Sequence, residues 1–206
     1  TTGLSYSVSQ EIEISKLEIN PNNTDSLFAA TGDNIFVSAD GGNSWQTVGP
    51  NGRWRDIHYK PGNTNVLYAA KQTSGTSNVY RSTDGGISWQ VSNSGVANTG
   101  KRRPLIAVTE DNPEVVYSLF ADGVWGFHGL YKSSDGGDTW NLQSDSPNIL
   151  GRETDGSDNG GQAWYDISLA VSPINENHLY VGGINLWEST DGGINWSIAG
   201  SSGNSS

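Results

Sequence analysis

The apolar residues of this 206-residue chain occur in short runs that alternate with polar turns. Four times, an apolar segment is followed by a polar turn and a second segment with an aromatic residue, and the two anchor residues are 11 positions apart. The anchor pairs are Leu17 and Phe28, Ile57 and Tyr68, Ile106 and Tyr117, and Leu169 and Tyr180. β-Branched and aromatic residues are frequent in these segments, as in β-strands. Because no segment of useful length shows helical periodicity, the pattern predicts an all-β fold.

One eight-residue phrase follows each pair of strands. It reads SADGGNSW at 38–45, STDGGISW at 82–89, SSDGGDTW at 133–140 and STDGGINW at 189–196. Asp with two glycines favours the left-handed backbone of a tight hairpin, and the Ser and Asp side chains can accept hydrogen bonds from turn amides. The Trp then begins a return strand and buries a large ring. A third strand is predicted before each phrase, at 34–38, 78–82, 129–133 and 185–189, so each repeat has the four antiparallel strands of a β-propeller blade.

The phrase resembles the Asp-box, or bacterial neuraminidase repeat, whose consensus is Ser-x-Asp-x-Gly-x-Thr-Trp. All four copies keep the Ser, the Asp, the second Gly and the Trp. We predict a structural role for them, because a turn repeated in every blade cannot form one asymmetric binding site. These residues are Ser38, Asp40, Gly42, Trp45, Ser82, Asp84, Gly86, Trp89, Ser133, Asp135, Gly137, Trp140, Ser189, Asp191, Gly193 and Trp196.

The spacing of the repeats predicts the domain organisation. The Asp residues of successive boxes are 44, 51 and 56 positions apart, which fits propeller blades with connections of increasing length. We predict blades at 15–50, 51–96, 97–146 and 147–199, with strand material of a preceding or closing blade at 1–14 and a linker at 200–206. The resemblance to Asp-box propellers implies that these four blades are part of a larger propeller of about seven blades.

The amino-acid composition restricts the cellular location and the binding partners that are expected for this chain. The chain has no Cys, 27 Gly, 8 Trp and a net charge of −11. The acidic balance argues against nucleic acid and anionic membrane surfaces as partners, and no apolar run is long enough for membrane insertion. The composition is similar to that of secreted bacterial surface proteins, so we expect a secreted or cell-surface protein that binds a protein or a glycan. We expect no cofactor.

A longer resemblance supports this expectation. The stretch 160–173, together with VGGINLWESTDGGINW at 181–196, resembles Asp-box propellers in large secreted proteins of Bacteroidetes, many of which end in a type IX secretion sorting domain. More distantly, the repeats resemble xyloglucanase and sortilin-type propellers.

The antiparallel order of four strands places the Asp-boxes on one face of the propeller and the irregular loops on the opposite face. These loops carry most of the basic residues and three of the four Trp residues outside the boxes. Aromatic rings beside Arg are a common means of holding sugars or peptides. We therefore predict a ligand site there, although the same rings could instead fill the tops of the blade interfaces. The candidate residues are Trp125, Phe127, Arg152, Trp164 and Tyr165.

An alternative function is that of part of a glycoside hydrolase, sialidase-like or xyloglucanase-like. Inverting hydrolysis needs two carboxylates about 6.5–9.5 Å apart, and the candidates are Asp56 and Asp166, each at the start of a predicted inner strand. The Phe-Arg-Ile-Pro or Tyr-Arg-Ile-Pro segment that the sialidase resemblance implies is missing, so we expect no complete active site here. Asp155 and Asp158 offer oxygen ligands to calcium, but their spacing does not match an EF-hand, so no metal is predicted.

Overall fold

The computed structural model describes residues 2–4 and 13–201 and confirms the all-β fold. Sixteen strands form four antiparallel sheets, and in each sheet four consecutive strands lie in chain order. No residue in these two ranges lies in a helix. The predicted segment 1–14 and the predicted linker 200–206 fall partly outside the described residues, and the last strand runs to Ser201.

The four sheets are named blades 1 to 4. Blade 1 contains β1 (Ile14–Ile19), β2 (Leu27–Thr31), β3 (Ile35–Ser38) and β4 (Gln46–Val48). Blade 2 contains β5 (Arg53–Lys60), β6 (Asn63–Gln72), β7 (Asn78–Ser82) and β8 (Gln90–Val91). Blade 3 contains β9 (Arg102–Val108), β10 (Val116–Ala121), β11 (Phe127–Ser133) and β12 (Asn141–Ser144). Blade 4 contains β13 (Ser168–Ser172), β14 (Asn175–Gly182), β15 (Asn185–Ser189) and β16 (Ser197–Ser201).

The blades pack face to face around their first strands. β1 contacts β5, β5 contacts β9, and β9 contacts β13, so the first strand of each blade is the inner one. Apolar clusters fill the three interfaces: Phe28 and Ile35 meet Trp54 and Leu67 between blades 1 and 2, and similar clusters join blades 2 to 3 and 3 to 4. This stacked arrangement is that of a β-propeller.

Each Asp-box closes its hairpin with the same hydrogen bonds. In the second box, Ser82 Oγ accepts a bond of 2.9 Å from the amide of Gly86, and Asp84 Oδ1 accepts a bond of 2.9 Å from the amide of Ser88. The first, third and fourth boxes repeat these bonds. The Ser and Asp therefore satisfy turn amides that the hairpin ladder leaves free.

The aromatic anchors and the boxes meet across blade interfaces. The Tyr68 hydroxyl donates a hydrogen bond of 3.0 Å to the carbonyl of Gly136 in the next blade. Phe28 lies so close to Gly86 that a Cβ there would come within 2.4 Å of the ring, and Gly86 also has a φ of +88°. The second Gly of this box is therefore required both by its backbone and by the neighbouring blade.

The box carboxylates predict an acid-sensitive component of stability. Hydrogen bonds from the Thr139 hydroxyl and amide lower the pKa of Asp135 to about 2, and the equivalent bonds lower the pKa values of Asp40 and Asp84 to about 2. A depressed pKa means that this stabilisation is complete above about pH 4 and is lost as the pH falls to about 2. Urea unfolding of the wild type and Asp135→Asn should therefore show a difference that shrinks over this range. A stability difference between the two proteins that does not change with pH would contradict this prediction.

Candidate functional site

The hydrogen bonds of the boxes define two faces of the molecule. The first Gly of each box donates to a carbonyl in the hairpin between the first and second strands of its own blade, at distances of 2.8–2.9 Å. The box face therefore contains the four boxes and these four hairpins. The loop face, at the other end of the strands, contains the connections between second and third strands and the crossovers between blades.

Two connections of the loop face are joined to each other: the β10–β11 loop (122–126) and the crossover from blade 3 to blade 4 (145–167). Asn148 Oδ1 accepts a hydrogen bond of 2.8 Å from the amide of Phe127, and the carbonyl of Trp125 accepts one of 3.3 Å from the amide of Ala163. Ile149 and Leu150 anchor the crossover in the core between blades 3 and 4. The crossover is thus built onto the blades by both polar and apolar contacts.

These connections bring together an aromatic and basic cluster, which we call the loop-face patch: the exposed Trp164 and Tyr165 and the half-buried Trp125, Arg102 and Arg103. The Trp125 and Trp164 rings pack edge to face, with centroids 6.2 Å apart. Trp164 is 47% exposed and Tyr165 80% exposed. The Arg102 guanidinium carbon lies 5.2 Å from the Trp125 ring centroid, and Arg103 donates a hydrogen bond of 2.6 Å to the carbonyl of Trp164.

The backbone of the patch is unusual. Within the described ranges, Arg103 and Trp125 are the two residues other than glycine with positive φ, at +33° and +68°. This conformation is unfavourable for a large side chain and persists where the surroundings impose it. Asp122 Oδ1 holds the Trp125 turn by accepting hydrogen bonds of 2.9 Å and 2.8 Å from the amides of Val124 and Gly126. Both strained residues are half-buried and belong to the loop-face patch.

Two other predicted site residues lie elsewhere. Phe127 is 7% exposed and belongs to the core between blades 3 and 4, so its ring supports the loop and is not available to a ligand. Arg152 is exposed and lines a cavity of about 220 Å³ with Val124 and Asn159, beside the patch. Conversely, the predicted ligand-binding residues did not include Arg102 and Arg103, although these two successive Arg residues at the start of β9 were a visible signal.

A second charged region lies in a cavity of about 410 Å³ that the first strands of all four blades line together. Glu13 pairs there with Arg53 at 2.6 Å and with the buried Arg55. Burial by itself raises the pKa of Glu13, but the hydrogen bonds and charges of the two arginines hold it below its usual value. Burial, followed by the charges of Arg55 and Arg53, lowers the pKa of Arg103 to about 10, and Glu13 opposes this shift.

The two candidate catalytic carboxylates are not brought together in this cavity. Asp56 lines it, but Oδ2 accepts a hydrogen bond of 2.9 Å from the amide of Ile106 in the next blade, and Oδ1 lies 3.0 Å from His58 Nε2. Asp166 is not among the residues that line it, and its Oδ1 is buried without a hydrogen-bond partner among the described residues. Through its hydrogen bond to Ile106, the Asp56 carboxylate therefore links the inner strands β5 and β9.

The candidate calcium ligands also have local partners. Asp155 Oδ1 accepts a hydrogen bond of 3.0 Å from the amide of Ser157, and Asp158 Oδ2 accepts one of 2.8 Å from the amide of Arg152. Across residues 2–4 and 13–201, no group of three or more His, Asp or Glu side chains is placed to hold a metal ion. In the same ranges, no helix is long and apolar enough to cross a membrane.

The blades, their stacking and the hydrogen-bonded boxes define an Asp-box β-propeller. In agreement with this class, a family model described as BNR/Asp-box repeat matches residues 80–91, which include the second box. A comparison with curated protein sequences gave no match.

Solved structures of similar fold include glycoside hydrolases. An ancestral GH74 enzyme is 20% identical with a TM-score of 0.68, over 90% of this chain and 24% of that chain. The GH74 xyloglucanase from Xanthomonas campestris is 18% identical with a TM-score of 0.68, over 92% of this chain and 31% of that chain. A Hadza microbial sialidase is 19% identical with a TM-score of 0.51, over 88% of this chain and 38% of that chain. At these identities the likeness shows the fold alone, and the chain spans about a quarter to a third of the two GH74 enzymes.

Proposed function

We propose that this propeller segment binds a protein or glycan ligand through the loop-face patch, and that it acts outside the cell, as a secreted or cell-surface protein. The observation that carries the proposal is the convergence of two exposed aromatic side chains, Trp164 and Tyr165, with Trp125 and Arg103 held in strained backbone conformations. Strain of this kind clusters at binding and active sites.

The physical chemistry of the patch suits recognition. Trp and Tyr offer large rigid surfaces with few rotatable bonds, and such residues with Arg often dominate binding energy. The edge-to-face packing of Trp125 on Trp164 and the hydrogen bond from Arg103 to the Trp164 carbonyl reduce the mobility of the patch before a ligand arrives. A pre-organised surface loses less entropy on binding.

Trp164→Ala tests the proposal. Screening the wild type against arrays of oligosaccharides and peptides should identify a bound probe, and the substitution should weaken binding by about 2 kcal/mol, or about 30-fold. The control is Ile174→Ala, because Ile174 is 85% exposed in the β13–β14 hairpin on the box face and should leave binding unchanged. Equal affinities of the two variants for the probe would contradict the proposal.

The hydrolase alternative makes a different prediction. Because the Asp56 carboxylate accepts a hydrogen bond from the amide of Ile106 and Asp166 does not line the central cavity, we expect no turnover of sialosides or β-glucans above the buffer rate. The assay should include Asp56→Asn and Asp166→Asn, each checked for native circular dichroism. Hydrolysis by the wild type that either variant abolishes with its fold intact would favour the glycoside hydrolase.

A further inference from the structure

We propose that one side of blade 4 docks a further propeller blade, and that this blade presents a basic side chain to Glu188. We call this side the open face of blade 4, and it consists of His178, Tyr180, Leu186 and Glu188. The residues between them, Leu179, Val181 and Trp187, belong to the core between blades 3 and 4. Because successive side chains of a strand point to opposite sides, the open face points away from blade 3.

The open face carries the anchor tyrosine that joins other blades to their neighbours. The Tyr68 hydroxyl donates a hydrogen bond of 3.0 Å to a box carbonyl of blade 3, and the Tyr117 hydroxyl donates one of 2.8 Å to the carbonyl of Glu176 in blade 4. Both of these tyrosines are fully buried. Tyr180 has the same position in blade 4, but it is only half-buried, and its hydroxyl donates to Glu188 of its own blade at 2.7 Å. Blade 4 therefore has the residue that elsewhere contacts a following blade.

The residue opposite the anchor tyrosine has the reverse charge in blade 4. In blade 2 this residue is Arg81, which pairs with Asp138 of blade 3. In blade 3 it is Lys132, whose Nζ lies 3.1 Å from Glu176 Oε1 of blade 4. In blade 4 it is Glu188. A blade that repeats this interface next to blade 4 must therefore offer a basic side chain where blades 3 and 4 offer an acidic one.

An apolar residue of the open face supports the same interface. Leu186 lies two positions before Glu188 and is 41% exposed. The residues two positions before Arg81 and Lys132, Val79 and Leu130, are fully buried in the clusters that join their blades to the next one. A neighbour that covered Leu186 in this way would remove its apolar surface from water.

The Glu188 carboxylate is held in place on the open face. Tyr180 donates to its Oε1, and His178 Nε2 lies 2.6 Å from the same oxygen, so Oε2 remains for a partner. The hydrogen bond from Tyr180, followed by that with His178, lowers the pKa of Glu188, and the carboxylate is therefore ionised at neutral pH. A fixed, charged acceptor selects a partner by charge more sharply than a mobile one.

Two unmodified copies of this chain do not meet the charge requirement. In a head-to-tail contact, blade 1 of a second copy would take the place that blade 4 has beside blade 3. Asp25 would then stand where Asn177 accepts a hydrogen bond of 3.1 Å from Lys132 Nζ. The two positions are equivalent because the carbonyls of Asp25 and Asn177 each accept a bond from the first Gly of their own box. Glu188 and Asp25 would repel each other, so the blade that fits carries Lys or Arg at this position.

The experiment uses a second copy of the chain, made basic at the matching position, as the probe. Sedimentation velocity at about pH 8, where histidine is ordinarily neutral, compares the wild type, Asp25→Lys, Glu188→Lys and the double variant over a series of concentrations. We expect the two single variants to associate, because each places a lysine opposite a carboxylate. The wild type and the double variant should associate at least about tenfold more weakly, because each places like charges together. Added salt should reduce this difference.

The matched control is Glu153→Lys. Glu153 is exposed in the crossover on the loop face, so its substitution changes the net charge by the same amount away from both contact positions, and the variant should sediment like the wild type. Thermal melting checks the fold of each variant. If Glu188→Lys does not fold, Asp25→Lys still gives the test, because Asp25 is exposed in the β1–β2 hairpin and Glu188 is unchanged in that protein.

The outcomes decide the inference separately from the proposed function. Association of the wild type as strong as that of Asp25→Lys would overturn the inference, because charge at Glu188 would then not select the partner. Monomeric behaviour of both single variants would overturn it as well, and so would association of Glu153→Lys equal to theirs. Trp164→Ala added to Asp25→Lys should leave the association unchanged, since the loop-face patch takes no part in it.

Discussion

Replacing Trp140 with alanine is expected to lower the free energy of unfolding by about 3–5 kcal/mol. Trp140 is 3% exposed and packs in the apolar cluster between blades 2 and 3. Its indole Nε1 donates a hydrogen bond of 3.2 Å to Ser92 Oγ in blade 2, and its amide donates one of 2.8 Å to the carbonyl of Ser94. The substitution leaves a cavity at the interface and removes the donor that Ser92 accepts from.

Trp164→Ala is the matched control for this prediction. It removes the same side chain from a position that is 47% exposed, so it should cost about 1 kcal/mol or less of stability. Urea unfolding followed by circular dichroism measures both variants, while calorimetry with a bound probe measures their affinities. Trp140→Ala should change stability and not affinity, and Trp164→Ala the reverse. A loss of stability at Trp140 as small as that at Trp164 would show that the box tryptophan has no part in joining the blades.

The repeats made most of the fold predictable from the sequence. The predicted third strands at 78–82 and 185–189 have the bounds of β7 and β15. The reason is that turn residues, the alternation of apolar segments with polar turns, and the aromatic anchors are local signals. Four copies of one unit therefore specify the same local structure. Local signals of this kind also placed the irregular segments at one end of the blades.

The candidate site was predictable only in outline. Trp125 and Trp164 are 39 positions apart in the chain, and their contact depends on how the crossover folds onto the β10–β11 loop. Phe127, two positions from Trp125, faces the core because β11 begins there and continues a buried strand. The stacking of Arg102 on Trp125 has no local signal at all, since it joins the start of β9 to a loop of the same sheet. Long-range packing decided each of these placements.

The role of Asp56 also depends on a long-range contact that the sequence could not predict. Its position at the start of an inner strand made it a candidate for catalysis. The structure adds a hydrogen bond from its Oδ2 to the amide of Ile106, 50 positions later, which joins β5 to β9. A carboxylate that is buried and accepts backbone amides is a common structural element, and only the neighbouring blade reveals this arrangement.

Lys101→Met is expected to raise the free energy of unfolding by about 2–3 kcal/mol at about pH 7. Lys101 is 1% exposed, no ion pair in the described residues includes it, and its Nζ lies 5.1 Å from the Phe120 ring centroid. Burial lowers the pKa of Lys101 to about 8, because the ammonium loses its hydration. Methionine is similar in length and fills the same space without a charge.

The pH dependence of this gain distinguishes charge burial from packing. Between about pH 8 and pH 10.5 the unfolded chain keeps a proton on Lys101 that the native protein has released, so wild-type stability rises with pH in that window. The advantage of the methionine variant is therefore complete below about pH 8 and disappears above about pH 10.5. Paired urea unfolding curves at about pH 7, 9 and 10.5 measure the difference, in which the ionisation of tyrosines common to both proteins cancels. A destabilised variant would mean that the Lys101 ammonium is favourably solvated in the folded protein, and a gain that does not change with pH would mean that packing and not charge burial is its cause.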